Sequence, residues 1–125
     1  MKDNKKILVV EDDEYIRDVY NKILTDAGYN VTVATNGEEG FEEAKKGGFD
    51  LIYLDAMMPR LDGMGFLKKL KDTGGLSKNG PVILLSNMNY DLIFNEAKKL
   101  GVKDCLIKSD IDPGELQEMT KKYLQ

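Results

Sequence analysis

Short apolar runs rich in β-branched residues alternate with longer stretches of helical period along this chain of 125 residues. Runs of this length are typical of buried strands, and their alternation with helical stretches favours βαβ units and a parallel sheet. The predicted strands cover residues 6–10, 30–34, 51–54, 81–85 and 104–107. The pattern therefore predicts an α/β protein with a five-stranded sheet.

The first two helices are predicted from an apolar stripe and from capping residues. The second helix begins after Asn36, has Glu39 as its capping-box acid, and is followed by Gly47 and Gly48. The first helix ends at Gly28. Its apolar stripe consists of Ile16, Val19, Tyr20, Ile23, Leu24 and Ala27.

The third and fourth helices are separated by a segment rich in turn residues. Apolar spacing predicts the third helix over residues 63–72 and the fourth from about Tyr90 to Gly101. Residues 73–80 include three glycines and are predicted to be a flexible connector.

The fifth helix has the clearest start signal in the chain. Asp112 is placed as its N-cap, Pro113 as its first residue and Glu115 as its capping-box acid. A helix is therefore predicted to end the chain.

Composition predicts one domain covering residues 1–125, because 42% apolar and 32% charged residues are ordinary for a soluble globular domain of this length. The apolar runs are too short for a membrane span or a signal peptide. A single cysteine, Cys105, cannot form an internal disulfide, which fits the cytoplasm. A net charge of -4 argues against nucleic-acid binding by this chain alone and favours a protein partner.

Polar residues with catalytic or metal-binding chemistry follow four of the predicted strands. Glu11 and Asp12 follow the first strand, and Asp55 follows the third. Ser86 follows the fourth strand, and Lys108 follows the fifth. The carboxyl ends of parallel strands form the crevice where ligands bind. Acids at two buried strand ends need a cation, so they suggest a shared positive charge.

These residues lie within motifs that resemble the receiver domain of two-component response regulators, including single-domain chemotaxis regulators. The resemblance covers the whole chain and implies a flavodoxin-like doubly wound sheet with strand order 2-1-3-4-5. The matching motifs are Val-Val-Glu-Asp at 9–12, Asp-Ala-Met-Met-Pro at 55–59, Asp-Gly at 62–63, Pro-Val-Ile-Leu-Leu-Ser at 81–86, and Gly101 followed by Lys108.

The resemblance implies a Mg²⁺ site. Asp12 and Asp55 would bind the ion directly, Glu11 through a water molecule, and Met57 through its backbone carbonyl. Mg²⁺ suits such a site because it uses one or two carboxylates, keeps several waters and takes phosphate oxygens as further ligands.

The resemblance also implies that Asp55 accepts a phosphoryl group, since a carboxylate can form an aspartyl-phosphate. Lys108 would neutralise one phosphoryl oxygen, and the Ser86 hydroxyl would donate to another. The chain has no histidine. The phosphoryl donor is therefore expected to be a histidine kinase, a phosphotransfer protein or a small phosphodonor.

The expected role is that of a phosphorelay signalling protein, not an enzyme that turns over an external substrate. Phosphorylation would shift the face made by the fourth helix, fifth strand and fifth helix, and so control a downstream protein. Phosphorylation-dependent dimerisation, and whether this is a stand-alone regulator or part of a longer one, are left open.

Three residues depart from the family pattern. Ser109 replaces the proline that commonly follows the lysine in a cis peptide, so a trans bond is expected. Asn87 replaces a small residue and would crowd or hydrogen-bond the phosphoryl group. Cys105 replaces the switching aromatic residue, so an aromatic rotamer switch is excluded here.

Two methionines stand where family members influence attack of water on the phosphoryl group. Met57 and Met88 follow Asp55 and Ser86 by two residues each. Their apolar side chains predict slow self-dephosphorylation.

Two alternatives come from other classes of protein. A pseudo-receiver would be an interaction module that is not phosphorylated, but its usual sign is loss of an acid or of the lysine. A hydrolase of the haloacid dehalogenase kind would have a second acid two residues after the nucleophile, where this chain has Met57.

Overall fold

The computed structural model describes residues 5–58, 60–87 and 91–125. Pro59, Met88 and Tyr90, which carry parts of the predictions above, lie outside the described residues. Within the described ranges, no helix is both long enough and apolar enough to cross a membrane.

Five parallel strands form one sheet in the order β2-β1-β3-β4-β5. β2 lies on one side of β1, whereas β3, β4 and β5 follow on the other side. Because successive strands are thus added in opposite directions from β1, the connecting helices cover both faces of the sheet. The α/β class and the strand order are confirmed. The strands are β1 Lys6–Val10, β2 Asn30–Ala34, β3 Leu51–Asp55, β4 Val82–Ser86 and β5 Asp104–Ile107.

Three strand boundaries, one in β3 and two in β4, differ from the predicted ones by a single residue. β3 continues through Asp55, because this residue still pairs with Leu85 of β4. β4 begins at Val82, one residue after Pro81, and ends at Ser86. Both polar residues therefore belong to the sheet and do not simply follow it.

Within the described residues, five α-helices and two short 3₁₀ helices complete the fold. The 3₁₀ helices are Gly75–Lys78 and Lys108–Asp110. The α-helices are α1 Glu14–Asp26, α2 Gly37–Ala44, α3 Gly63–Asp72, α4 Asp91–Lys99 and α5 Pro113–Tyr123.

The helix caps agree with the sequence at α5 and differ in detail at α2. Asp112 and Glu115 form a complete capping box, with each side chain accepting from the backbone nitrogen of the other residue. Asn36 accepts from the nitrogen of Glu39 at 2.9 Å, as predicted. The Glu39 carboxylate, however, accepts from the nitrogen of Thr35, one residue before the N-cap.

The segment 73–80 is more ordered than the predicted flexible connector. It contains the 3₁₀ helix Gly75–Lys78. The Asn79 amide donates to the carbonyls of Ala44 and Gly75, each at 2.9 Å, and its oxygen accepts from the nitrogen of Phe49 at 3.0 Å. These bonds fasten the segment to the end of α2 and to the residues before β3.

The sheet separates two apolar cores. Alternate residues of each central strand face opposite sides, so Leu8 and Val10 pack with α2, α3 and α4, whereas Ile7 and Val9 pack with α1 and α5. β1, β3 and β4 are almost wholly buried, as expected for strands covered on both faces. This arrangement fixes the carboxyl ends of the strands at one edge of the molecule.

Candidate functional site

The parallel register brings the polar strand ends to the same edge of the sheet. Val10 pairs with Leu54, Asp55 with Leu85, and Ser86 with Ile107. Glu11 is the first residue after β1, and Lys108 is the first residue after β5. Glu11 is 3% exposed, Asp55 4% and Ser86 2%, so the site sits at the bottom of a crevice.

Lys108 joins the two buried acids. Its Nζ donates to Glu11 Oε1 at 2.6 Å and lies 3.1 Å from Asp55 Oδ1. The lysine side chain is 7% exposed, so water screens these contacts weakly. One ammonium group thus stabilises carboxylates from two other strands.

The Asp55 carboxyl group is harder to ionise than an ordinary aspartate. Burial, the negative charge of Glu11 and a hydrogen bond shared with Glu11 raise its pKa to about 7, against the opposing effect of Lys108. Burial by itself would lower the pKa of Lys108. The hydrogen bond to Glu11 and the charge of Asp55 outweigh that effect, so the pKa of Lys108 is raised. The site therefore has more negative charge than its one lysine can neutralise.

Asp12 adds a third carboxylate at the rim of the crevice. Glu11, Asp12 and Asp55 each offer one oxygen, and these oxygens all lie within 4.8 Å of one another. Three carboxylates and one ammonium group leave a net charge of -2 when all are ionised. The carboxylate oxygens are hard donors, and their excess charge of -2 would be balanced by one divalent cation. Because Asp12 is exposed, the ion could keep some of its water, as Mg²⁺ does in proteins.

Backbone contacts hold Glu11 in place. Its second carboxylate oxygen accepts from the nitrogen of Asp13 at 3.1 Å, and its carbonyl accepts from Arg17 Nη1 at 3.0 Å. Asp13 itself caps α1 by accepting from the nitrogen of Ile16 at 3.1 Å. The contact made by Arg17 was not predicted from the sequence, in which its position one turn into α1 is the only signal that it could reach back to the strand end.

Asp55 is held by the loop that follows it and by the start of α3. The nitrogen of Met57 donates to Asp55 Oδ1 at 3.3 Å, so the Met57 backbone lies next to the acid. The nitrogen of Gly63 donates to the carbonyl of Ala56 at 3.0 Å. A Cβ atom at Gly63 would lie 2.8 Å from the Asp55 carbonyl oxygen, so only glycine fits this close approach. The Met57 carbonyl as a metal ligand stays a prediction.

The residues that depart from the family pattern lie around this crevice. The Lys108–Ser109 peptide is trans, as expected. Asn87 is exposed just after β4. Cys105 is half-buried in β5, and its thiol donates to the Phe94 carbonyl of α4 at 3.9 Å. Burial raises the pKa of this thiol.

A buried tyrosine pair behind the acids was not anticipated from the sequence. The rings of Tyr20 in α1 and Tyr53 in β3 meet edge to face, with centroids 6.3 Å apart. Burial, together with the charges of Glu11 and Asp55, raises the pKa of Tyr20 to about 12. The Tyr53 hydroxyl lies 2.6 Å from the Thr120 hydroxyl of α5. The strand that carries Asp55 is thus connected to α5 through the core.

The fold and this crevice define a receiver module. The sequence matches the family described as response regulator receiver domain over residues 7–121, and the chain belongs to that family. It is therefore a signalling module of two-component systems, a class that does not turn over an external substrate.

Relatives of this chain include one of similar length and one about twice as long. Chemotaxis protein CheY of Thermotoga maritima is 33% identical over 105 residues, which cover 83% of this chain and 85% of that protein. The probable transcriptional regulator ycf27 of Cyanidium caldarium is 34% identical over 127 residues, covering 99% of this chain. The chain spans about half of that regulator, 49% of its length.

Solved receiver structures have the same fold. The structure of chemotaxis protein CheY4 from Vibrio cholerae matches with a TM-score of 0.85 at 30% identity, covering 95% of this chain and 98% of that one. The likeness extends over almost the whole sheet and its helices.

Proposed function

We propose that this protein is a phosphoacceptor receiver in which Asp55 takes a phosphoryl group from a histidine kinase, a phosphotransfer protein or a small phosphodonor. The observation that carries the proposal is the buried cluster of Lys108, Glu11 and Asp55, with Asp12 at its rim. In this role residues 1–125 act as a single receiver domain.

In the transfer step, an oxygen of Asp55 forms a bond to phosphorus. The bond from phosphorus to the donor nitrogen or oxygen breaks, and the donor keeps that electron pair. Asp55 must be ionised to attack, and its raised pKa makes the neighbouring positive charges important for that state.

Lys108 and Ser86 would contact the phosphoryl group once it is bound to Asp55. The ammonium of Lys108 already lies 3.1 Å from an Asp55 oxygen, close enough to pair with a phosphoryl oxygen bound there. The Ser86 hydroxyl, at the end of the neighbouring strand, would donate to another phosphoryl oxygen. Phosphorylation would thus pull on β4 and β5 together.

Asp12, Asp55 and the Met57 carbonyl would hold Mg²⁺ directly, with Glu11 acting through water. When bound, the ion neutralises charge on the phosphoryl oxygens. Around the ion, Asp55 supplies the acceptor carboxylate, Lys108 the ammonium group and Ser86 the hydroxyl.

The signal would be passed to a partner through the face formed by α4, β5 and α5. Lys108 and Ser86 lie at the ends of β5 and β4, which lead directly into this face. A shift of either residue toward the phosphoryl group would change the relative populations of the conformations of the face formed by α4, β5 and α5. A downstream protein or a second phosphorylated copy would read that change.

Acetyl phosphate with Mg²⁺ tests the phosphoacceptor role. Intact-mass spectrometry should detect one phosphoryl adduct on the wild type and none on Asp55→Asn. Asp13→Asn is the matched control, since it removes a neighbouring carboxylate while asparagine remains a good N-cap. Absence of an adduct on the wild type, with Mg²⁺ bound, would favour the alternative of a pseudo-receiver interaction module.

A further inference from the structure

Arg17 reaches back from α1 to the two acids that follow β1. Its Nη1 atom donates to the Glu11 carbonyl at 3.0 Å and to the Asp12 carbonyl at 3.3 Å. The arginine is half-buried. One guanidinium nitrogen therefore holds two consecutive peptide groups in the turn between β1 and α1.

The location of this arginine is unfavourable for the helix itself. Arg17 stands near the amino end of α1, which is positively polarised and favours acids such as Glu14. Among the residues that the structure describes, Arg17 forms no ion pair that would offset this effect. The two carbonyl groups that it contacts therefore explain its placement better than the helix or charge pairing does.

Glu11 has other contacts that hold it in place. Its nitrogen donates to the Ala34 carbonyl at 3.1 Å. Its carboxylate oxygens accept from Lys108 Nζ at 2.6 Å and from the nitrogen of Asp13 at 3.1 Å. These bonds do not involve Arg17, so the Glu11 carboxylate does not depend on the arginine.

Asp12 depends on Arg17 more strongly. In the part of the chain that the structure describes, Arg17 is the only hydrogen-bond partner of Asp12. Asp12 is exposed, yet one of its carboxylate oxygens lies within 4.8 Å of an oxygen of Glu11 and of an oxygen of Asp55. Ordering an exposed side chain at a metal site costs conformational entropy, and that cost is lower when the backbone is already fixed.

We propose that Arg17 is a positioning residue for the metal site, because it fixes the backbone of Asp12 and so keeps the exposed carboxylate within reach of an ion shared with Asp55. The inference rests on the proposed function, in which Asp12 and Asp55 bind Mg²⁺ directly. In this role Arg17 touches neither the ion nor the phosphoryl group. It acts through Asp12.

The sign of one measurement separates positioning from charge. A guanidinium group beside an acidic site repels a divalent cation, so an effect of charge alone would make Arg17→Met bind Mg²⁺ more tightly than the wild type. If Arg17 positions Asp12, the same variant should bind Mg²⁺ roughly three- to tenfold more weakly, as expected for the loss of one or two hydrogen bonds. Titration of amide chemical shifts with Mg²⁺ measures the affinity of the full chain.

Lys22→Met is the matched control, because it removes one positive charge from the same helix. Lys22 forms an exposed ion pair with Asp26, so its loss should leave the affinity for Mg²⁺ unchanged. An unchanged or tighter affinity in Arg17→Met, or an equal loss in Lys22→Met, would overturn the proposal.

A double-mutant cycle tests whether Arg17 acts through Asp12. In an Asp12→Ala background the carboxylate that Arg17 positions is absent, so Arg17→Met should no longer weaken the binding of Mg²⁺. An equal loss in both backgrounds would mean that the arginine supports Glu11 or the fold as a whole, and would refute the inference.

Amide hydrogen exchange in EDTA measures the hold on this turn without any metal. The amides of Asp12 and Asp13 should exchange faster in Arg17→Met than in the wild type, whereas those at the end of β3 should not change. Equal rates at Asp12 and Asp13 would contradict the positioning role. A chain whose Mg²⁺ affinity depends on Arg17 as predicted, but which takes no phosphoryl group from acetyl phosphate, would support this role and contradict the proposed function.

Discussion

The ammonium nitrogen of Lys108 lies 2.6 Å from a carboxylate oxygen of Glu11, although 97 positions separate the two residues in the sequence. β1 and β5 are not neighbours, because β3 and β4 lie between them in the sheet. The lysine therefore reaches across the crevice to both buried acids and places its positive charge within 3.1 Å of each of them.

Replacing Lys108 with methionine should destabilise the metal-free protein and increase its affinity for Mg²⁺. The change leaves two buried carboxylates without their cation, which costs about 3 kcal/mol in the free energy of unfolding. It also removes the charge that repels the metal ion. Urea unfolding with EDTA and then with Mg²⁺ measures both effects.

Lys22→Met is the control for that change. Lys22 forms an exposed ion pair with Asp26, so its loss should alter the free energy of unfolding by less than about 1 kcal/mol. Equal destabilisation by the two variants would contradict the role given to the buried lysine.

Asp55 should make the metal-free protein less stable as the pH rises. Its carboxyl pKa is about 7 in the native state and 3.8 as an ordinary aspartate, so between these values the native state holds the extra proton. The free energy of unfolding contributed by this group therefore falls with rising pH. Asp55→Asn should lack this fall and be more stable than the wild type above pH 7, by about 4 kcal/mol at most.

Urea unfolding in EDTA across this pH range tests the assignment. The difference between Asp55→Asn and the wild type should be small at acid pH and grow through neutrality. Asp13→Asn, which alters an exposed capping acid, should not reproduce the trend. A difference that does not change with pH would contradict the raised pKa of Asp55.

Removing the Thr120 hydroxyl should destabilise the protein more than removing the Tyr53 hydroxyl with which it is paired. Thr120 donates its hydroxyl proton to the Leu116 carbonyl at 2.6 Å, so Tyr53 must donate to Thr120. Thr120→Val leaves the Tyr53 hydroxyl buried without an acceptor and should cost about 1 to 3 kcal/mol. Tyr53→Phe leaves no donor unsatisfied and should cost about 1 kcal/mol or less.

A double-mutant cycle checks this arrangement by urea unfolding. The double variant should be no less stable than Thr120→Val alone, because removing the tyrosine hydroxyl also removes the unpaired donor. Additive losses would mean that the two hydroxyls act independently.

Met57 should limit the approach of water to the phosphorylated acid. Met57 is 64% exposed, and its backbone nitrogen donates to Asp55, so its apolar side chain begins two residues from the acceptor carboxylate. Met57→Asn should shorten the lifetime of the phosphorylated protein several-fold, measured as loss of the phosphoryl adduct with time. Leu92→Asn makes the same kind of change on an exposed residue of α4 and should leave the lifetime unchanged.

Local chemistry explains why much of the fold could be predicted. The α5 cap depends on residues three positions apart, so the spacing of Asp112 and Glu115 was sufficient. The parallel sheet followed from the alternation of apolar runs, and its register brought the polar strand ends to one edge. The placement of Glu11 and Asp55 close together could thus be anticipated from their positions after two strands.

Contacts between distant parts of the chain could not be read in the same way. Asn79 bonds to residues 30 and 35 positions away, which is why its segment looked like a flexible connector. Tyr53 and Thr120 are 67 positions apart, and each alone fits an ordinary apolar or helical pattern. The sequence also does not specify that Lys108 would pair with Glu11 as well as Asp55.

The absence of a side chain at Gly63 determines which parts of the crevice can respond. The first turn of α3 lies against the Asp55 carbonyl, and the Gly63 nitrogen is bonded to Ala56. A close backbone contact therefore joins the end of β3 to the start of α3. A shift of the Asp55 backbone would have to displace α3 as well, so we expect a new charge on Asp55 to be met by movement of the Ser86 and Lys108 side chains instead.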